Sequence, residues 1–457
     1  MSKTYRRFIS HISVAADPTD WVNIEYVLGR SQSLTSQPST SDAQNSIIQS
    51  ARSSTMDGPW SVTNSEGVVA PSGDPHDYLS WAPYHWPDCN WCSKTWTTCP
   101  YVARDGQVNP DVRTLNGPGA INSVGQSILY NSLCFVFGAS TASTCSQNAA
   151  RFIDAFFLTP STMMNPNMNF GQIVRGPGPN GREGTFTGIL DLRAMVKIVN
   201  GISLLKAARS PAWTSKRDQA MGQWVASYSG WLKDSELGKN TASRANNHAS
   251  FYFAQLVSTQ ILNGDNVAAT DSLELFSKIP SGEQPLEAVR TRPYHYRCFN
   301  LEALITLAKL GDQLGLNLWT AKSKYQATIQ TAVDYVMKTD PKSEDVTEVV
   351  PHIAAAAAAY GDPDGKYASF MRKTMPNYQS KPFWFYDQTD ALPRSPAAQK
   401  RTGRDTAQNV TDALPVKFDC PWDEVLPDGA KGVQLDNDIY ASCDELRPLY
   451  ETVGRGE

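Results

Sequence analysis

From Ser46 onward, apolar residues recur every three or four positions rather than every second one. That spacing predicts helices, because it places side chains on one face of a 3.6-residue turn. Ser123–Gly138 carries Val124, Ile128, Leu129, Leu133 and Phe135 in this pattern. Ala149–Leu158, Leu190–Leu205, Asp218–Leu232, Ala249–Leu262, Tyr296–Leu310 and Tyr325–Met337 repeat it. Turn signals separate these runs, such as the Gly/Pro stretch 176–181 and Asn263-Gly264-Asp265. One long interval, Asp74 to Asn116, is aromatic without any period and reads as a loop. Alternation of the strand kind is almost absent before residue 380, and Lys381–Tyr386 reads as a short extended stretch. Many antiparallel helices with short connections point to stacked hairpins. Closed into an arc, these give an all-α fold, an incomplete (α/α) toroid with long aromatic lid loops. The expected division is an N-terminal extension (1–40), a catalytic toroid (41–380) and a poorly defined C-terminal extension (381–457).

Composition narrows the function classes. A net charge of −4 gives no general attraction to nucleic acid or a membrane surface, so an anionic ligand would have to be gathered by local Arg and Lys. No apolar run approaches the ~20 residues of a spanning helix. Twelve Trp and eighteen Tyr in a chain with only 19% charged residues suit either a large core or aromatic platforms for sugar rings. Of eight cysteines, Cys89, Cys92 and Cys99 have half the spacing of a zinc site but no second half, so disulfides are favoured, with Cys134–Cys145 and Cys420–Cys443 as plausible local pairs. The cysteines and the sequon Asn409-Val410-Thr411 suggest secretion, with a signal segment already removed, since no apolar core follows Met1–Arg7.

Two short segments carry the candidate chemistry, Asn246-Asn247-His248 and Arg292-Pro293-Tyr294-His295-Tyr296. In the first, an Asn precedes an apolar helix and is a natural N-cap. His248 in the first turn is either a capped polar residue or a base kept neutral by the helix dipole. In the second, Pro293 suits a first helical turn. Tyr296 then heads the apolar stripe Phe299, Ala303, Leu304, Leu307. It is either core, with His295 beside it, or an acid at a cleft mouth whose pKa Arg292 lowers. The loop around His76, Tyr78, Trp81, Tyr84 and Trp86, with Arg104 further on, shifts the balance. So many aromatics outside a periodic helix suit a wall that stacks sugars and offers an Arg to their carboxylates.

The runs His76-Asp77-Tyr78-x-Ser80-x-Ala82-Pro83-Tyr84-x-Trp86-Pro87 and Pro100-Tyr101-x-x-Arg104-Asp105-Gly106 resemble the alginate-lyase superfamily of helical-toroid polysaccharide lyases. Gly188-Ile189-Leu190-Asp191, Asn246-Asn247-His248 and His295-Tyr296 with Phe299 extend the likeness over Ser46 to Leu310. The resemblance implies β-elimination on a 1,4-linked uronic-acid polysaccharide, alginate or glucuronan, by a monomer needing no metal or organic cofactor. Carried over by position, Asn247 would bind and neutralise the C5 carboxylate, His248 would be base or neutraliser, and Tyr296 would be the acid, or acid and base together. The family's arginine tends to lie two turns before that tyrosine, which is Val289 here; Arg290 and Arg292 flank it, and Arg292 is assigned. His76, Tyr78, Trp81, Tyr84, Trp86, Arg104, Asn246, Arg290 and His295 are expected to line the sugar path. Two rivals have different requirements. A glycoside hydrolase would need a carboxylate pair, for which Asp77, Asp105 and Asp191 are available. A non-catalytic acidic-polysaccharide binder would need the aromatic loop but neither base nor acid.

Overall fold

The computed structural model describes residues 21–31, 40–64, 67–89, 97–138, 140–274, 284–323, 326–402 and 432–453. Helices dominate. Their order is α1 (Ile24–Ser31), α2 (Ser41–Asp57), α3 (Gly117–Val136), α4 (Ala142–Ile153), α5 (Met195–Ala207), α6 (Ser215–Asp234), α7 (Glu236–Ala242), α8 (Asn247–Leu262) and α9 (Asn266–Glu274). Then follow α10 (Pro285–Ala288), α11 (Pro293–Leu314), α12 (Ile329–Lys338), α13 (Val350–Tyr360), α14 (Lys366–Thr374), α15 (Pro382–Tyr386), α16 (Pro396–Arg401) and α17 (Cys443–Val453).

An arc of neighbours runs α2–α3–α5–α8–α11–α13, and α15 touches both α13 and α2 to bring its ends together. The arc helices α3, α5, α8 and α13 are buried almost all round. A helix apolar on every side must be covered on every side. The covering helices pack outside them: α4 on α3, α6 on α8, α12 on α11 and α14 on α13. On α6 only a stripe is buried, through Met221, Trp224, Val225, Tyr228 and Leu232. This is an all-α toroid, as expected. Its core also takes in both segments expected as extensions, through Trp21, Val22 and Val27 on one side and Phe383, Phe385 and Tyr386 on the other.

Two expectations about extended structure are corrected. Lys381–Tyr386 is not extended: Pro382 opens the short helix α15, where its missing N–H costs nothing. Short strands do occur before residue 380, three within the aromatic loop and one after α4. β1 (Leu79–Trp81) pairs in parallel with β4 (Phe170–Ile173), and β2 (His85–Pro87) runs antiparallel to β3 (Tyr101–Ala103). A third pair, β5 (Val433–Asp436) and β6 (Ile439–Ala441), forms an antiparallel hairpin ahead of α17.

Cys134 and Cys145 are disulfide-bonded, joining α3 to α4. Cys89 and Cys443 are also in disulfides, whereas Cys99 and Cys298 are free and buried. Cys92, Cys420 and the sequon at Asn409 lie outside the described residues. Among the described residues no His/Cys/Asp/Glu group could hold a metal ion, and no helix is long and apolar enough to cross a membrane.

Candidate active site

The first segment is built as a cap. Asn246 is the N-cap of α8, and its Oδ1 accepts from the backbone N–H of His248. The same Oδ1 lies 2.9 Å from His248 Nδ1. A carboxamide oxygen only accepts, so Nδ1 carries the proton and Nε2 is left with its lone pair. Among the described residues the buried Nε2 has no hydrogen-bond partner. Burial, then the charges of Arg290 and Arg244, hold the His248 pKa well below its usual value, so the ring is neutral. The expected neutral imidazole is therefore present, but the cause is desolvation and cationic neighbours.

Asn247 points elsewhere. Its Nδ2 lies 2.9 and 3.1 Å from the two carboxylate oxygens of Glu287, and its backbone N–H donates to the same group at 2.9 Å. Glu287 is only 1% exposed, so the pairing is interior. The donor expected to face a substrate carboxylate is thus turned to a buried carboxylate.

The second segment places Tyr296 in the first turns of α11, and the turn before it supplies the cation. That cation is Arg290. Its Nη2 donates to the Tyr296 hydroxyl at 2.7 Å, and its guanidinium lies 3.8 Å from the ring centroid. Arg290 also binds Asp105 Oδ1 through Nε (3.0 Å) and Nη2 (2.6 Å), and Asp436 through Nη2 (3.2 Å). Its Nη1 is buried and has no hydrogen-bond partner among the described residues.

Arg292 does not occupy this place. It is 39% exposed on its side chain and faces Glu344 (4.0 Å) and Glu348 (3.8 Å). His295 turns the same way, with Nδ1 2.7 Å from Glu348. The arginine at Tyr296 is therefore Arg290 rather than the assigned Arg292. Residues 289–292 are not helical, so counting helical turns back from the tyrosine does not locate it.

The Tyr296 pKa is raised, not lowered as expected from a nearby arginine. Burial is the largest cause and Tyr84, Asp436 and Asp105 add to it, while Arg290 opposes them. The tyrosine is a protonated donor in this setting.

The aromatic loop reaches the site through Tyr84, which hydrogen-bonds Tyr296 and sits 6.0 Å from the Arg290 guanidinium. Asp105, which follows β3, receives the Thr291 N–H as well as Arg290. At Gly106 the loop comes so close that a Cβ would collide with Thr291, and its φ of +69° also favours glycine. Other loop residues have structural roles. Tyr78 is buried and donates to Asp191, and Trp81 is buried with Leu79, Leu115 and Ile173. His76 binds the Met163 carbonyl at 2.6 Å. Trp86 donates to the Gln107 carbonyl, with the exposed Arg104 5.2 Å from its ring. Tyr78 and Trp81 are thus interior residues rather than sugar platforms.

The three carboxylates available to a hydrolase sit in separate networks. Asp77 binds Ser72 and Asn165, Asp191 binds Tyr78, Ser80 and Gln172, and Asp105 binds Arg290.

Sequence reasoning missed Glu287, Arg244, Thr185, Thr187 and Asp436. Arg244 lies with its guanidinium 3.9 Å from the Phe186 ring, and Phe186 in turn is 5.3 Å from His248. Its position just before Asn246 was a usable signal. Asp436 arrives from 146 residues beyond Arg290, and no local pattern marks it.

An all-α toroid with a neutral imidazole and an arginine-held tyrosine at two helix starts defines a class, the helical-toroid polysaccharide lyases. The family model described as alginate lyase matches residues 61–344, and the chain belongs to that family. Among solved structures, an alginate lyase from Bacteroides ovatus is 24% identical with a TM-score of 0.71, aligned over 80% of this chain and 98% of its own. A second, the apo form of a histidine-to-alanine variant of alginate lyase A1-III, is 11% identical with a TM-score of 0.38, over 71% and 90%. No curated protein matches the chain in sequence.

Proposed function

We propose that this polysaccharide lyase cleaves a 1,4-linked uronic-acid polysaccharide by β-elimination, leaving 4,5-unsaturated uronate ends, with alginate as substrate and glucuronan as the second choice. The observation that carries this is that one cation, Arg290, acts both on a neutral His248 whose Nε2 has no partner among the described residues and on the Tyr296 hydroxyl it holds. The C5 hydrogen of a uronate is a poor acid while its carboxylate keeps its full charge. Arg290 would cancel that charge as the enolate-like intermediate forms, the kind of electrostatic stabilisation that usually dominates. Asn247 would join it only by sharing its amide with Glu287.

The opposed pKa displacements favour two groups over one. His248 would take the C5 proton through Nε2, and Tyr296 would give its phenolic proton to the departing C4 oxygen. A single-tyrosine route would need Tyr296 to ionise in a buried wall beside Asp105, which disfavours the phenolate. Base and acid on opposite faces of the ring would give anti elimination, the geometry of guluronate, whose C5 hydrogen lies opposite the C4 oxygen. The disulfides support secretion, since such bonds persist in oxidising compartments.

Absorbance near ~235 nm marks the new C=C bond and separates elimination from hydrolysis. Run over polyguluronate, polymannuronate and glucuronan, the assay should rise fastest with polyguluronate. Tyr296→Phe should lower turnover by roughly 10²–10⁴, the usual worth of a positioned proton donor. New reducing ends without absorbance, or a Tyr296→Phe enzyme with full turnover, would sink the reading.

A further inference from the structure

The C-terminal hairpin β5–β6 ends in the candidate site. Its tip, Asp436-Asn437-Asp438, contacts Arg290, Thr185, Thr187 and His85. Asp436 lies 3.2 Å from Arg290. Asn437 Nδ2 donates to the hydroxyls of Thr185 (2.8 Å) and Thr187 (2.6 Å). Asn246 Nδ2 donates to the Leu435 carbonyl at 2.9 Å, and Asp438 lies 3.3 Å from His85 Nε2. Asp436 and Asn437 are buried. We propose that this tip is a built-in stand-in for the substrate, with the Asp436 carboxylate in the uronate-carboxylate position and Asn437 on a sugar-hydroxyl subsite formed by Thr185 and Thr187. The hairpin is then a plug that substrate must displace. This rests on the uronate-lyase reading.

Charge is the first argument. Arg290 already holds Asp105 through two of its nitrogens, so Asp436 makes a second carboxylate on one guanidinium. A substrate carboxylate would be a third. Like charges disfavour one another strongly at a desolvated site. Arg244, the nearby second cation, also feels Asp436. With the tip in place Arg290 carries two carboxylates and Arg244 feels one of them, and departure of the tip would free that positive charge for a uronate.

Chemistry is the second. The tip presents a carboxylate and a carboxamide side by side, and it meets a guanidinium, two hydroxyls and the Asn246 amide. That set of partners matches a sugar acid, whose carboxylate and hydroxyls need cations, donors and acceptors in the same small space.

The footing is the third. The hairpin and α17 bury Val433, Leu435, Ala441 and Leu446 in a small cluster apart from the main core. Among the described residues the toroid contributes Leu286 and Val289 to it. The hairpin's covalent tie lies beyond it, at the disulfide-bonded Cys443, so between 433 and 441 the apolar footing is this small patch, and segments that move in function are drawn from the low-stability end of a structure.

The test uses the full chain. In a Tyr296→Phe background, in which turnover is slowed by roughly 10²–10⁴, calorimetric titration with tetraguluronate and tetramannuronate is compared with and without Asp436→Ala/Asn437→Ala. The plug predicts binding at least about tenfold tighter without the two tip side chains. Equal or weaker binding would make the tip a permanent wall and overturn the proposal. Amide hydrogen exchange on the ligand-free protein gives a readout that needs no substrate. Amides of 433–441 should exchange well before those of α8 and α11; equal protection overturns the plug. If neither protein binds any oligouronate and the wild type shows no absorbance change, the lyase reading has failed. The exchange result then still decides whether the hairpin opens.

Discussion

The reacting centre depends on two arginines two positions apart whose side chains have opposite fates. Arg290 is sealed between Asp105, Asp436 and Tyr296, while Arg292 sits half-exposed against Glu344 and Glu348. Their substitutions should therefore separate. Arg290→Lys keeps the charge but loses the planar fork that serves Asp105 and the tyrosine together, and should lower kcat at least ~10-fold. Complete loss of the side chain would leave two largely buried carboxylates unpaired, at a cost of roughly 3–5 kcal/mol, so lysine is the safer variant. Arg292→Ala should stay within about threefold of wild type in the absorbance assay. The reverse ranking would return the charge-neutralising role to Arg292. His248 makes a pH prediction from the same neighbourhood. Burial and two arginines keep it neutral well below the ordinary ~6.5, so the acid limb of kcat/KM should lie well below that value. A limb at ~6.5 would mean an unperturbed histidine. Most of this chemistry was legible as residue types. Its wiring was not, because Asp105, Glu287 and Asp436 meet it only through the fold.

At the scale of elements, the helices were readable because each is long enough to show its period, as Pro293–Leu314 and Asn247–Leu262 do. Strands of three or four residues, such as Leu79–Trp81 and Phe170–Ile173, are too short to display alternation. Some core residues also look polar from the chain alone. His352 on α13 is one: it is buried, and burial first and Lys309 second depress its pKa to about 3. The unfolded chain takes up this proton near ~6.5, whereas the folded chain refuses it until about pH 3. Stability from this group is thus complete above ~6.5 and is lost as pH falls through that window, by up to ~1.4 kcal/mol per pH unit. His352→Gln retains a side-chain donor for the Cys298 carbonyl and removes the titration. Urea denaturation between pH 6 and 4 should show a shallower loss of stability in the variant than in wild type, and parallel pH curves would refute the assignment.

For the whole molecule, the formal charge of −4 opposes the substrate that the family and site call for. A polyuronate carries a carboxylate on every ring, so approach must rely on cations concentrated near the cleft. Arg104 is exposed on the aromatic loop, Arg244 and Arg193 are half-buried near α8 and α11, and Arg290 waits at the bottom. The outer members act through solvent, where screening is strong: the Debye length is ~10 Å at 0.1 M salt and ~3 Å at 1 M. Arg290 acts in a desolvated contact that salt hardly reaches. The two steps should therefore respond differently to ionic strength. Raising NaCl from 0.05 to 0.5 M, on the order of one decade, should increase KM several-fold while leaving kcat within about twofold. Arg104→Ala should flatten the KM response without altering kcat, since it removes a long-range attraction and not a group at the reacting atoms. Should kcat fall in step with the rise in KM, the screened charges would be those at the reacting centre, and the site would have to be far more open to solvent than the burial of Arg290 and Tyr296 allows.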